Sequence, residues 1–479
     1  MSNHRQSLFI DGAWVAPASS RRIEAINAST EEVIGSAPEG SEADIDRAVA
    51  AARRALKESA WATFTPAERS AAITRFADAL EKRAGQLAST VSMQNGMPIN
   101  TAEQLESGYT VGLMRYYAAL AAGLQTDENR PSPLGFNTVV RREPVGVVGA
   151  IVPWNFPVIL SMMKIGPALA AGCTLVLKPS PETVLDCFIV AEAAEEAGLP
   201  AGVLNWVPGG RELGAYLVSH PGVDKVAFTG STAAGRSIAQ VCGQLLRPVS
   251  LELGGKSAAI ILEDADINAV LQGLPSASLT SNGQACFSCT RILVPASRYG
   301  EIVDAIATTV SSYVVGDALD RATQIGPMGS AVHRDRVERY IATGKAEGKL
   351  VAGGGRPKDR MRGWFVEPTV FADVDNSAVI AQEEIFGPVL SLIRYRDEDE
   401  AVKIANDSVY GLGGSIWSAD RAHATQLASR IDTGSIGING YLPDMNAPFG
   451  GIKASGLGRE MGPESIAAYQ RLKSVYQMG

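Results

Sequence analysis

The sequence has 479 residues, 46% of them hydrophobic and 20% charged, more apolar material than one core ordinarily organises, so two or more domains are expected. Its formal net charge of -8, with no Lys or Arg runs beyond short pairs such as Arg141-Arg142, offers no footprint for a polyphosphate backbone and sets nucleic acid aside as a partner. Five cysteines, at Cys173, Cys187, Cys242, Cys286 and Cys289, are too few and too scattered for a disulfide framework and fit a reducing, cytoplasmic setting.

The opening "MSNHRQSLFIDGAWV" has an apolar patch too short for a secretion signal and no small-residue cleavage site, so the mature chain is expected to start here. The first third reads as helix. Ser41 caps "SEADIDRAVAAARRAL" with Asp44 three positions on, and Ile45, Val49, Ala52 and Leu56 share one face. Thr65, Pro66 and Glu68 open the next helix, whose apolar positions Ile73, Phe76, Leu80 and Leu87 carry it through "EKRAGQL". Both are expected to cover a sheet.

"SPLGFNTVVRREPVGVV" reads as strand, turn and strand, either a surface hairpin or an arm that pairs, together with the final "LKSVYQMG", with a partner chain. Residues 144 to 163 carry no charge, the length of a membrane span. Pro144, Pro153 and Pro157 interrupt them and Lys164 ends them, which favours a buried strand, a loop and a buried helix over any membrane segment. From about 146 the runs "GVVGAIV", "TLVLKPS", "VLNWVPG", "KVAFTGS" and "PVSLELGG" start every 20 to 30 residues, the spacing of βαβ units in a parallel sheet buried on both faces. A second α/β block follows residue 255, with "TRILVP", "PVLSLIRY", "GSIW" and "SIGIN" as strands and "DEDEAVKIAND" as a helix.

"GSTAAGRS", Gly230 to Ser237, follows a strand and opens a helix. It is one residue short of a P-loop and has Arg236 where that motif needs Lys, so the nucleoside-triphosphatase reading fails. A strand feeding a glycine turn into a helix N-terminus still suits a dinucleotide pyrophosphate. G-x-G-x-x-G is absent, and "GGRELG" has the wrong spacing to replace it. Lys178 ends a buried strand, where α/β sheets present ligand groups, or else snorkels to the surface.

Cys286 and Cys289 have the spacing of a metal or redox pair. A zinc site needs two more ligands, and none of His4, His220, His333 and His423 lies close in sequence; no metal is expected. A dithiol of the thioredoxin kind starts a helix, whereas this pair precedes the strand "TRILV". Spacing also leaves room for a Cys–His hydrolase, yet marks no histidine as its base. The remaining reading is a thiol nucleophile served by a carboxylate. Glu252, at a strand end against a Gly-Gly turn, is the candidate, its alternative a salt bridge with Lys256.

With these residues in hand, the chain resembles the aldehyde dehydrogenase superfamily, in its NAD(P)-dependent hydrolytic form, from about residue 8 to the end. The motifs stand in family order: "PWNFP" at 153, "LKPS" at 177, "FTGS" at 228, "LELGGK" at 251, "GQAC" at 283, "EEIFGPV" at 383 and "PFGGIKASGLGRE" at 448. The resemblance implies an α/β fold of two parallel-sheet, Rossmann-like domains with a small β oligomerisation arm. Residues 1–122 and 143–254 would bind NAD(P), 255–453 would form the catalytic domain, and 123–142 with 470–479 the arm and tail of a homodimer or homotetramer.

It also implies roles residue by residue. Cys286 resembles the nucleophile that forms a thiohemiacetal and then a thioester, Asn155 the oxyanion donor beside the Cys286 N–H, and Glu252 the base for hydrolysis. Cys289 looks like a variable neighbour. The cofactor site would draw on Val152, Pro153, Trp154, Lys178, Ser180, Glu182, Gly209, Phe228, Thr229, Gly230, Ser231, Leu253 and Gly254, with Glu384 and Phe386 at the nicotinamide end. Glu460 and Lys164 resemble a proton relay, and a structural salt bridge is the other reading of Glu460. Where NAD-preferring members carry an acid three residues after the lysine, this chain has Pro181 and then Glu182, so NAD with some tolerance of NADP is expected. Phe156, Ile159, Leu160, Met163, Phe287, Leu442 and Phe449 would line an apolar funnel for a medium-sized hydrophobic or aromatic aldehyde. Competing readings are a coenzyme A-acylating relative, against which the retained Glu252 argues, and a catalytically silent structural relative.

Overall fold

The computed structural model describes residues 3–478. Its larger sheet has eight strands, with a parallel core in the spatial order Val249–Glu252, Lys225–Thr229, Val147–Ile151, Thr174–Lys178, Leu204–Trp206. The three central strands are buried along their whole length, the pattern their apolar runs require. Chain order runs outward from Val147–Ile151 to Leu204–Trp206, then returns to the other side of Val147–Ile151. That reversal opens a crevice between the carboxyl ends of Val147–Ile151 and Lys225–Thr229.

The second sheet has seven strands, in the order Lys349–Ala352, Thr369–Ala372, Val389–Tyr395, Arg291–Pro295, Ala258–Ile261, Gly414–Trp417, Gly437–Ile438, parallel except at the Lys349–Ala352 edge. A third, antiparallel sheet joins Asp127–Pro131, Asn137–Pro144 and Gln470–Gln477. The tail joins the arm in one sheet within the chain, Gln470 opposite Pro144 through Gln477 opposite Asn137. The ladder still leaves Leu472, Tyr476 and Met478 exposed.

Two expectations change. The first forty residues are not helical: strands Leu8–Ile10, Ala13–Val15, Arg22–Ile26 and Val33–Pro38 precede the first helix, Glu42–Glu58. These strands are too short to show a period, and Phe9 finds its partner at the distant Trp206, so nothing local announces them. The helix opened by Thr65 ends at Glu81, and Leu87 belongs to a separate helix, Ala84–Asn95. Leu80 and Leu87 both reach the core from different helices, which is why the apolar spacing passes through the break.

The capping residues behave as their chemistry dictates. Thr65 N–H donates to Glu68 at 2.7 Å and Ser41 N–H to Asp44 at 2.9 Å. The uncharged stretch resolves into strand Val147–Ile151, a loop, and the wholly buried helix Pro157–Ala171 with Pro157 in its first turn. Among the described residues no helix is long and apolar enough to cross a membrane.

Candidate active site

The crevice between Val147–Ile151 and Lys225–Thr229 collects the motifs. Beyond Ile151 the chain runs through Val152, Pro153, Trp154, Asn155 and Phe156 into the buried helix. Beyond Thr229, Gly230 and Ser231 lead into helix Thr232–Gln244, where the Ser231 hydroxyl accepts the Ala234 N–H at 3.3 Å. The next strand ends on Glu252.

Cys286 arrives from the other sheet on a turn whose residues Ser281, Asn282 and Gly283 all have positive φ. The Asn282 side chain holds that turn, donating to the carbonyls of Gly96 (2.8 Å) and Pro327 (2.9 Å) and accepting from Gly326 N–H (2.7 Å). Left-handed backbone at two non-glycine positions persists only where the surroundings over-determine it.

The partly exposed Cys286 side chain lies where two cavities meet, and only Cys286 and Asn155 line both. One cavity is polar. It is walled by Pro153, Trp154, Thr229, Gly230 and Ser231 from the first sheet, by Leu253 and Gly254 after Glu252, and by Glu384 and Phe386 opposite. The other is apolar: Phe156, Ile159, Leu160, Met163, Phe287, Leu442 and Phe449 all line it, with no charged side chain among its walls. Phe287 meets the rings of Tyr441 and Phe449 edge-on, at 5.6 and 6.5 Å between centroids.

Electrostatics around the sulfur are governed by burial. Burial pushes the Cys286 thiol up, and the Glu384 and Glu252 carboxylates push it further, so the resting sulfur is a thiol that needs a base. Glu252 is 3% exposed, and neither of its oxygens has a hydrogen-bond partner. Burial and then the Glu460 carboxylate hold it well above the usual carboxylate range, offset in part by Lys164 and Arg459. Gly450, with a φ of +153°, borders this carboxyl; a Cβ there would lie 2.6 Å from the Glu252 Oε1 and 2.8 Å from the Gly458 carbonyl oxygen, so the position favours glycine.

The buried Lys164 ammonium donates to Glu460 at 2.8 Å and to the Thr229 hydroxyl at 2.6 Å. Asn155 donates to the Gln284 carbonyl at 2.9 Å, which leaves its second amide proton uncommitted. Cys289 faces elsewhere: it is fully buried, 3.7 Å from the Ser415 hydroxyl, with its thiol pushed up to about 12 by burial. Among the described residues no group of three or more His, Cys, Asp and Glu side chains is placed to hold a metal ion.

Six of the residues expected at the cofactor lie outside the polar cavity's lining: Val152, Lys178, Ser180, Glu182, Gly209 and Phe228. Lys178 is buried rather than snorkelling. It donates to the Gly209 carbonyl at 2.6 Å and to that of Pro179 at 3.0 Å, and burial lowers its pKa to about 8 against the opposing pull of Glu182. Ser180 hydrogen-bonds to Glu182 on the surface. Phe228 supports the glycine turn from below, since a Cβ at Gly230 would lie 2.5 Å from its ring.

Sequence reasoning missed four wall positions that matter. His333 and Arg336, on helix Ala331–Glu347, complete the polar cavity. The His333 ring packs 5.0 Å from Trp154, its Nε2–H donates to the Phe386 carbonyl at 2.6 Å, and burial lowers its pKa to about 4, so it is neutral. Arg336 donates to the Glu384 carbonyl, while the Glu384 carboxylate accepts the Gly255 N–H at 2.9 Å. Leu105 and Tyr109 close the apolar cavity from a π-helical turn, Glu103–Tyr109, a local irregularity that no 3.6-residue period signals.

A profile of the Aldehyde dehydrogenase family matches residues 14–475. Geranial dehydrogenase of Castellaniella defragrans is 65% identical over 479 residues, spanning all of both chains. The chloroplastic betaine aldehyde dehydrogenase of Beta vulgaris is 40% identical, over 98% of this chain and 96% of its own. Among solved structures, the aldehyde dehydrogenase of Mycobacterium tuberculosis complexed with NAD+ superposes with a TM-score of 0.97 at 46% identity, covering 99% of this chain and 98% of that one. A mutant aldehyde dehydrogenase C of Pseudomonas syringae, complexed with NAD+ and octanal, gives 0.94 at 40%, covering 98% and 96%.

Proposed function

Because the chain belongs to the aldehyde dehydrogenase family, we propose that it oxidises an apolar aldehyde of medium size, geranial being the first to test, to the carboxylic acid with NAD+. One observation carries this reading: a single sulfur, on Cys286, borders both a polar crevice at the sheet's switch point and a largely apolar cavity with no charged side chain in its walls.

The residues present fit the cofactor. The glycine turn after Thr229 brings a helix N-terminus to the crevice, where backbone N–H groups suit a pyrophosphate. Lys178 with Gly209, Ser180 and Glu182 would hold the adenosine end, and Glu384 and Phe386 the nicotinamide end, with Trp154 between. NAD+ bound there supplies the two-electron acceptor. Glu182, one step beyond the position where an acid would exclude a 2′-phosphate most directly, leaves some use of NADP expected.

The chain's own part follows from its geometry. Cys286, partly exposed at the polar crevice, gives its proton to water there, and the thiolate adds through sulfur to the aldehyde carbon. The uncommitted Asn155 amide proton and the Cys286 N–H steady the charge that develops on oxygen. Oxidation of that adduct leaves a thioester on Cys286. Glu252 then takes a proton from water as the water attacks, the thiol is regenerated and the acid leaves; Lys164 and Glu460 can pass the proton onward. The apolar cavity holds the tail of the substrate, and its uncharged walls disfavour cationic or anionic aldehydes.

Steady-state NADH formation over geranial, octanal, an aromatic aldehyde and betaine aldehyde, with each nicotinamide cofactor, tests this. The three apolar aldehydes should exceed betaine aldehyde in kcat/KM by about 100-fold, since a buried cation without a partner loses several kcal/mol of hydration. Equal or better turnover of betaine aldehyde would refute the assignment. Added coenzyme A should leave the product a free acid; an acyl-coenzyme A product would favour the acylating reading. The exposed Leu472 and Tyr476 on the three-stranded arm support assembly into a dimer or tetramer, measurable by light scattering.

A further inference from the structure

We infer that Asn95 is a positioning residue for this reaction: its side-chain amide fixes the segment of backbone from which the Asn155 amide reaches the reacting carbonyl. The inference rests on the reading of Asn155 as the oxyanion donor.

Asn95 ends helix Ala84–Asn95 and is completely buried. Its Nδ2 donates to two carbonyls of the site loop, those of Trp154 and Asn155, each at 3.0 Å. Its Oδ1 accepts the Met97 N–H at 3.0 Å, so every hydrogen-bonding site of that amide except one lone pair is engaged. The backbone beyond it turns through a left-handed Gly96, where a Cβ would come within 2.1 Å of the Pro327 carbonyl oxygen, so the helix end cannot drift from the loop that holds the Cys286 turn.

The contacts form a circuit. Asn95 grips the backbone of Asn155; the Asn155 side chain donates to the Gln284 carbonyl at 2.9 Å; the Gln284 amide reaches back to the Asn95 carbonyl at 3.5 Å, a long contact. Gln284 also accepts the Gly329 N–H at 2.8 Å, and Cys286 follows it by two residues. The donor to the developing oxyanion and the sulfur that attacks are thereby tied to one frame, with the Asn155 rotamer set at its amide end by Gln284 and its backbone set by Asn95. Oxyanion-hole catalysis depends on donors being fixed before the charge appears. Removing the Asn95 amide frees two carbonyls together and lets the donor move.

The test is a double-mutant cycle between Asn95→Ala and Asn155→Ala, read as kcat per active site after titrating reactive Cys286 with an alkylating agent. Asn95→Asp serves as the second single variant, because it keeps the acceptor for Met97 and the side chain's size while replacing the donating NH2 with a carboxyl oxygen that the two carbonyls repel when it is ionised. Asn155→Ala should lower kcat per site by about 100-fold or more, the scale for one lost oxyanion donor. Asn95→Ala and Asn95→Asp should each lower it by roughly 10-fold, as expected for a donor displaced rather than deleted. The KM for NAD+ should be unchanged, and a primary isotope effect should appear with the 1-deuterated aldehyde as the first half-reaction becomes limiting. In the Asn155→Ala background, Asn95→Ala should add less than about 2-fold, because there is no amide left to position.

A structural role alone would lower the number of titratable sites and leave kcat per site intact, and that result overturns the inference. So does an equal loss in both backgrounds. Full activity in Asn155→Ala would remove the oxyanion reading and this inference with it, whereas a crippled Asn155→Ala beside a normal Asn95→Ala would remove this inference alone.

Discussion

Replacing Glu252 by Gln separates the two halves of the proposed reaction. The side chain is buried and makes no hydrogen bond, so the near-isosteric, neutral amide removes no contact that the fold relies on. Stability near neutral pH should change by less than about 1 kcal/mol, because burial already favours the uncharged acid. Activity should not survive so well. A positioned general base contributes about 100- to 10,000-fold, or about 3 to 5 kcal/mol of barrier, and its loss falls on hydrolysis of the thioester. Rapid mixing of variant, NAD+ and aldehyde should give a burst of about one NADH per active site, then a steady state slowed by that factor. The wild-type rate should rise with pH as Glu252 ionises, from a starting point well above the usual carboxylate range, and the variant should lose that limb. A steady-state rate within about 10-fold of wild type, or the absence of any burst, would refute the reasoning.

Cys286→Ala should abolish turnover, whereas Cys289→Ala, which empties a small space beside Ser415, should keep most of it and cost about 1 kcal/mol in denaturant unfolding. Lys178→Ala removes the ammonium anchored on the Gly209 and Pro179 carbonyls; the KM for NAD+ should rise about 10-fold or more with that for aldehyde little changed. Glu106, buried against the Val158 N–H at 2.7 Å, has its pKa raised from 4.5 to about 8 by burial. Between those values the native state binds more protons than the unfolded one, so the stability this group contributes is complete below pH 4.5 and is lost as pH rises through about 8. Melting temperatures from pH 5 to 9 should therefore fall more steeply in wild type than in Glu106→Gln; parallel slopes would contradict this.

What the sequence revealed and what it hid have physical reasons. The parallel strands are legible because burial on both faces writes unbroken apolar runs, Leu175, Val176 and Leu177 within Thr174–Lys178 and Val226, Ala227 and Phe228 within Lys225–Thr229. The strands at Leu8–Ile10 and Ala13–Val15 are illegible because three residues cannot display a period and their partners are remote in sequence. Seven apolar positions expected to line a funnel border one cavity although Phe156 and Phe449 lie 293 residues apart in number. Leu105 and Tyr109 stay hidden because a π-helical turn presents them, and His333 and Arg336 because tertiary packing alone brings helix Ala331–Glu347 to the crevice.

The division of the site between two sheets constrains the chemistry as much as any single side chain does. Cys286 and Glu384 come from the second sheet's half, Asn155, Glu252 and the glycine turn from the first, so neither half holds the proposed nucleophile and its proposed partners by itself. In the proposed reaction, a substrate whose tail fills the apolar cavity would direct its carbonyl at the sulfur with the polar crevice behind it, which is the arrangement an oxidation at that carbon needs. In the proposed reaction the same crevice then admits water toward Glu252, which is unpartnered and, with its pKa raised by burial, must release its own proton before it can take one from that water. A base held by hydrogen bonds would be easier to bury but slower to act, since each bond to the ionised form lowers the proton affinity on which hydrolysis depends.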